Sequence, residues 1–205
     1  SVATISVQKD GQRVNFIGAS PFVYPTPHTP LLFYPTVTRS FMTLFEQKLQ
    51  KLKSDDVNFL LSHYPLKQYS RGGKSPFGKT FYQTATDGRL GYALTGHLHP
   101  AVPTVMHHEN IIEFMGCDLR VHQYIGVITI DNKRVVYHPI DLDNPKKAFI
   151  SSPIPKQQVS SKQIISNGNA PIRVLIFKDE EPRITVSGAV NGEMICKEAS
   201  REGSY

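Results

Sequence analysis

Two short apolar runs that each lead into histidine constrain the fold of this chain more than any other feature. Residues 57–61 (VNFLL) stop just before His63, and residues 92–94 (YAL) are followed by His97 and His99 in a Gly-His-Leu-His sequence. Short apolar runs without polar alternation are typical of strands buried on both faces of an α/β sheet. Loops that follow such strands meet at one edge of the sheet. We therefore expect the three histidines to share a pocket at that edge.

The residues before these runs predict a hairpin, a loop and a helix. Alternating apolar residues and an Asp10-Gly11 turn predict a β-hairpin over residues 3–17, and five prolines between positions 21 and 35 predict an extended loop. Thr38 or Ser40 can cap the helix that follows. Its apolar side chains recur at helical spacing and are expected to face the core: Phe41, Leu44, Phe45, Leu49 and Leu52.

The residues after the second histidine motif indicate β structure without a helical period. We expect strands over residues 102–106, 111–114, 124–130 and 135–140, with Asp131-Asn132 as the turn between the last two. All eight histidines lie between His28 and His138, so imidazole chemistry is confined to the first two thirds of the chain.

These patterns divide the chain into three parts. Residues 1–143 form one α/β unit, residues 144–170 form a linker rich in Pro, Asn and Gly, and residues 171–205 begin a β-sandwich. The chain starts at Ser1 inside a predicted strand and without an initiator methionine, so we expect it to be a segment of a longer protein.

Composition excludes several classes of protein. Forty per cent of the 205 residues are hydrophobic, which supports a folded core, yet no run reaches the roughly 18 apolar residues of a membrane span. The 23 basic and 17 acidic residues are spread too evenly for a nucleic-acid surface. Cys117 and Cys196 form neither a disulfide framework nor a metal motif, so the compartment stays open.

One stretch of the chain is locally basic. Between Lys67 and Arg89 five basic residues accompany a single acidic residue, Asp87. Such a cluster is either a solvated loop or an electrostatic guide for an anionic substrate.

The histidines themselves favour a metal site. Two neutral imidazoles in an HxH sequence, joined by a third from a neighbouring strand end, suit Zn, Mn or Fe. The alternative is that His63, His97 and His99 are ordinary core or surface residues. Spacing argues against several HxH families: a metallo-β-lactamase-like motif, for instance, needs Asp and His where Ala101 and Val102 stand.

Both histidine motifs resemble those of one superfamily. Residues 60–65 (LLSHYP) and 94–99 (LTGHLH) are similar to the fourth and fifth motifs of the calcineurin-like metallophosphoesterases. Together with the proline-rich loop and the capped helix, further segments look like the transmembrane-protein-sixty-two type of phosphoesterase: residues 15–18, 113–118, 144–148 and 172–175. The resemblance implies an α/β fold in which part of a phosphoesterase β-sandwich with flanking helices precedes a truncated all-β, Ig-like segment.

The same resemblance implies the chemistry. Two divalent ions (Mn, Fe or Zn) and a bridging hydroxide would hydrolyse a phosphate ester. His63 and His97 would ligate one ion, and His99 would belong to the other. The parent protein would be attached to a membrane, whereas this segment itself is expected to be soluble. The family's first three motifs, DxH, GDxxD and GNH[DE], do not occur in the chain. We therefore expect this chain to supply the histidine half of the site and to be inactive alone. We assign no catalytic residue.

Other interpretations stay open beside this one. The chain can be a non-catalytic binding or adhesion module on a phosphoesterase-like scaffold, or its metal can serve stability alone. His107, His108 and His122 are minor candidates for the site, with a surface position as the alternative. Asp118 can support an imidazole or cap a turn, and Tyr64 can line the pocket or pack.

Overall fold

A computed structural model describes residues 1–9, 11–20, 35–69, 72–145, 148–160, 171–177, 183–188 and 191–195. Within them the chain is mostly β. The strands are β1 (Val2–Lys9), β2 (Gln12–Ala19), β3 (Val57–Ser62), β4 (Tyr92–Thr95), β5 (Thr104–His108), β6 (Ile111–Met115), β7 (Tyr124–Asp131), β8 (Arg134–Asp141), β9 (Ala148–Ser152), β10 (Arg173–Ile176), β11 (Thr185–Val186) and β12 (Gly192–Glu193). The helices are α1 (Arg39–Gln50), α2 (Phe81–Ala85) and α3 (Leu119–His122), with single 3-10 turns at Leu66–Gln68 and Lys156–Gln158.

Six strands form one mixed sheet in the order β1-β2-β3-β4-β6-β5. Strands β2, β3, β4 and β6 run parallel, while β1 and β5 are antiparallel to their neighbours. The predicted hairpin and the two buried strands are confirmed. Because β3 and β4 are adjacent and parallel, their carboxyl ends lie at the same edge of the sheet.

One face of the sheet packs against helices. Thr38 caps α1, since its side chain accepts a hydrogen bond of 3.1 Å from the backbone N–H of Phe41. Phe45 and Leu49 are buried as predicted, whereas Leu44 is exposed and Met42 is fully buried. The buried face of α1 is therefore rotated slightly from the predicted one, toward Met42. The Phe45 ring stacks on Phe81 of α2 at 4.7 Å, which joins the two helices.

The opposite face packs against the hairpin of β7 and β8. Aromatic rings continue from strand to strand: Phe59 lies 5.1 Å from Tyr92, Tyr92 lies 6.1 Å from Phe114, and Phe114 stacks at 4.9 Å on Tyr137 of β8. Burial on both faces explains why β3 and β4 lack polar alternation. The result is compatible with a sandwich-like arrangement.

After the second histidine motif, one local expectation was wrong, and the sequence did not predict one short helix. The turn between β7 and β8 lies at Asn132 and Lys133, both with positive φ, one position later than predicted. A short helix, α3, also interrupts the β region. It forms because the Asp118 side chain accepts a 2.9 Å hydrogen bond from the Arg120 backbone N–H, which is a local signal and needs no helical period.

Part of the predicted linker forms a strand. Ala148–Ser152 form β9, which pairs antiparallel with Arg173–Ile176 of the expected next unit. Arg173 also donates to both carboxylate oxygens of Asp131, at 2.8 and 2.9 Å. A five-residue strand whose partner lies about twenty residues away leaves a weak local pattern, so the sequence did not reveal it. Residues 161–170 and the proline-rich residues 21–34 lie outside the described residues.

Among the described residues, no helix combines the length and the apolar character needed to cross a membrane.

Candidate metal centre

Two of the three predicted histidines are in direct contact. His63 follows the end of β3 and His97 follows the end of β4, and the Gly96 N–H donates a 3.0 Å hydrogen bond to the His63 carbonyl. His63 Nε2 lies 3.2 Å from His97 Nδ1, with ring centroids 5.1 Å apart. The exposed His63 ring and the half-buried His97 ring therefore form an imidazole pair that is open to solvent.

A buried tyrosine restricts the orientation of both rings. Tyr64 is 5% exposed, and its ring lies 4.9 Å from that of His63 and 4.4 Å from that of His97. On its other side it meets Tyr69 edge-on at 6.3 Å. Burial raises the pKa of Tyr69 to about 12, so its hydroxyl stays neutral and pairs at 2.5 Å with Ser62 at the end of β3. Tyr64 thus packs in the core and also lines the imidazole pair.

The loop after β4 has an unusual backbone. His97 and His99 both have positive φ, 71° and 46°. This conformation is costly for a residue with a side chain, and it persists where surrounding contacts hold it. The contacts of Gly96 and Tyr64 described above are of that kind. The two imidazoles of the HxH sequence have different partners, His63 for His97 and Asp118 for His99.

His99, the third predicted histidine, contacts a carboxylate. Its side chain is half exposed, and its Nδ1 lies 3.3 Å from Asp118 Oδ2. Hydrogen bonds from Arg120 hold the pKa of Asp118 well below its usual range, so this carboxylate stays ionised. Asp118 therefore caps α3, as predicted, and also contacts the His99 ring. Within the described ranges, no group of three or more His, Cys, Asp and Glu side chains is arranged to hold a metal ion.

Sequence reasoning missed one residue that connects the two histidine loops. Glu113 of β6 is fully buried, and its Oε1 accepts hydrogen bonds from the Leu66 backbone N–H at 3.1 Å and from Thr95 Oγ1 at 2.6 Å. Its Oε2 lies 2.6 Å from His108 Nε2. A single acid inside an otherwise apolar strand, IIEFM, is the signal that could have revealed it.

The remaining histidine candidates have other partners. His107 lies with Nε2 2.7 Å from the Gln157 carbonyl, and His108 pairs with Glu113, so neither of these contacts belongs to the imidazole pair. His122 is the last residue of α3.

Two residues of the basic stretch have intramolecular partners. Lys79 lies 3.7 Å from Asp87, and Arg89 donates to the Leu52 carbonyl at 3.3 Å. Lys67 instead lines a cavity of about 290 Å³ together with Tyr69, Thr80 and Tyr82. Arg71 lies outside the described residues.

The fold and the site define a mixed-sheet protein with an imidazole pair at the carboxyl edge of two parallel strands. No protein-family model matches the chain, and no curated protein is significantly similar to it. The functional argument therefore rests on the geometry of the site.

Proposed function

We propose that this chain is the histidine-bearing part of a metal-dependent phosphoric ester hydrolase of the calcineurin-like type. The observation that carries the proposal is the 3.2 Å separation of His63 Nε2 and His97 Nδ1. Two nitrogens that ligate one ion at about 2.05 Å with a tetrahedral angle lie about 3.3 Å apart. The imidazole pair thus has the spacing of two ligands of a single divalent ion, Mn, Fe or Zn.

His99 fits a second ion through a different contact. Its Nδ1 faces Asp118, which leaves Nε2 on the far side of the ring for a ligand. A ligating histidine commonly donates its other N–H to a carboxylate, which fixes the tautomer and raises ligand basicity. In this proposal His63 and His97 hold one ion, His99 contributes to the other, and the remaining donors would come from the acidic motifs of the parent protein.

The chemistry follows from charge. When bound, two divalent cations would supply Lewis-acid activation of water and neutralisation of phosphoryl charge. Neutral imidazoles leave the positive charge of the ions uncompensated, which favours an anionic ester. The exposed position of His63 gives a substrate access from solvent, and Lys67 adds positive charge beside the same loop. Tyr64 limits rotation of both rings, so the pair keeps its spacing.

The finer parts of the fold belong to the same proposal. The mixed sheet would be part of the phosphoesterase β-sandwich, and the strands β10 to β12 would begin an Ig-like segment. Membrane attachment of a longer parent protein follows from the family resemblance alone. If that parent protein contains the acidic motifs DxH, GDxxD and GNH[DE], they would complete the site together with the imidazole pair.

Metal binding by the whole chain tests the proposal. We expect calorimetric titration with Zn²⁺ to show binding that weakens at least ~10-fold in His63→Ala and in His97→Ala, because each variant removes one of two ligands. His107→Ala is the matched control, since it removes another exposed imidazole from the same domain. Equal affinity in the wild type and all three variants would contradict the assignment.

A further inference from the structure

We propose that Glu113 is a positioning residue that sets the separation of the imidazole pair. This inference rests on the proposed function for its purpose, while its geometry is independent of any metal. Leu66 lies three residues after His63, and Thr95 lies two residues before His97. Both donate to the same carboxylate oxygen, at 3.1 and 2.6 Å, so one atom connects the two histidine loops.

The carboxylate itself is held from two directions. Its backbone lies in β6, which pairs with β4 in the register that sets Ala93 opposite Glu113. Its second oxygen lies 2.6 Å from His108 Nε2, and the two side chains are only 1% and 2% exposed. The His108 ring in turn packs edge-on against Tyr82 at 5.7 Å. Because its second oxygen and its backbone are both fixed, the first oxygen is a rigid acceptor.

Core stability alone is a poor explanation for this residue. Ile111, two positions earlier on the same face of β6, belongs to the apolar core beside the helices. Burying a carboxylate and an imidazole carries a large desolvation cost, and well-packed apolar side chains often replace such a pair without loss of stability. A polar group at this position is therefore better explained by the groups that it orients. Apart from His108, its partners are Leu66 and Thr95, which belong to the two histidine loops.

Two variants separate positioning from packing. Glu113→Met keeps the length of the side chain but removes both acceptor atoms. Glu113→Gln keeps Oε1 as an acceptor for Leu66 and Thr95, and its amide N–H₂ can donate to His108 Nε2 in the other tautomer. Ile112→Val, on the opposite face of the same strand, is the control for a simple loss of packing.

The readout is NMR of the metal-free full chain with labelled histidines. We expect nuclear Overhauser contacts between the His63 and His97 rings in the wild type, Glu113→Gln and Ile112→Val, and their loss in Glu113→Met. Persistence of these contacts in a folded Glu113→Met chain would overturn the inference. If Glu113→Met does not fold, Thr95→Val decides in the same way, because it removes one of the two connecting hydrogen bonds.

Zn²⁺ titration of the same variants separates this inference from the proposed function. We expect Glu113→Met to bind at least ~10-fold more weakly than the wild type, as for other residues that orient metal ligands, and Glu113→Gln to bind like the wild type. A wild-type chain that binds no Zn²⁺ contradicts the proposed function, while the ring contacts still test Glu113. A wild-type chain that binds Zn²⁺ equally well after Glu113→Met contradicts only the role of Glu113.

Discussion

Asn58 forms part of a buried amide cluster between β2 and β3, and its truncation is our most quantitative prediction. Asn58 is 1% exposed and lies opposite Asn15 in the parallel pairing of the two strands. Its Nδ2 donates to the carbonyls of Lys53 and Arg89, both at 2.8 Å, and its Oδ1 accepts from Asn15 Nδ2 at 2.7 Å. Asn58 therefore joins β2 to the segments that precede β3 and β4.

The expected cost follows from these three hydrogen bonds. Each typical bond contributes about 1 kcal/mol net, so Asn58→Ala should lower the free energy of unfolding by about 3 kcal/mol. That is a large share of the ~5–15 kcal/mol of an ordinary domain. Asn15→Ala should cost a similar amount, since Asn15 also makes three side-chain hydrogen bonds: its Nδ2 donates to Asn58 at 2.7 Å and to Asp56 at 3.2 Å, and its Oδ1 accepts from Ser6 Oγ at 2.6 Å.

Urea unfolding of the full chain measures this cost. Asn58→Ala should shift the midpoint without changing the slope, because the surface exposed on unfolding is nearly the same. Asn144→Ala is the control at an exposed asparagine and should stay within about 0.5 kcal/mol of the wild type. A loss below about 1 kcal/mol in Asn58→Ala would refute the reasoning, because it would mean that water replaces these bonds at little cost.

Two further predictions concern the hairpin of β7 and β8. Burial lowers the pKa of His138 from its ordinary value, so the unfolded chain binds a proton on this residue more tightly than the folded chain does. The free energy of unfolding therefore falls as the pH drops from neutral through the pKa of the unfolded histidine. Between about pH 7.5 and about pH 5.5, His138→Gln should lose less stability than the wild type in urea unfolding; an equal loss would contradict this. Gly126→Ala should cost about 1–3 kcal/mol, since its new Cβ would meet the Tyr137 ring, which is held against Phe114. Thermal melts of both variants measure this, and Gly18→Ala, at a strand glycine with open space around it, should be nearly neutral; equal losses in the two variants would contradict the packing argument.

Local patterns in the sequence determined most of the elements. The hairpin of β1 and β2 follows from alternation on both sides of a turn, and α1 follows from its apolar spacing and the Thr38 cap. Strands β3 and β4 follow from short apolar runs that end at histidine. These features depend on interactions between residues that are near each other along the chain, so composition and spacing are enough to predict them. The same patterns also predicted that His63 and His97 emerge at one edge of a sheet.

Only the tertiary structure decided how these elements meet. It brought His63 and His97 to 3.2 Å and placed His99 beside Asp118, with positive φ at both His97 and His99. It also paired β9 with β10 and placed Glu113 beneath both histidine loops. Each of these outcomes depends on contacts between residues far apart in sequence, where strand register and shared burial set the partner. No local period or cap encodes such a contact, which is why the residue types were visible in the sequence and their arrangement was not.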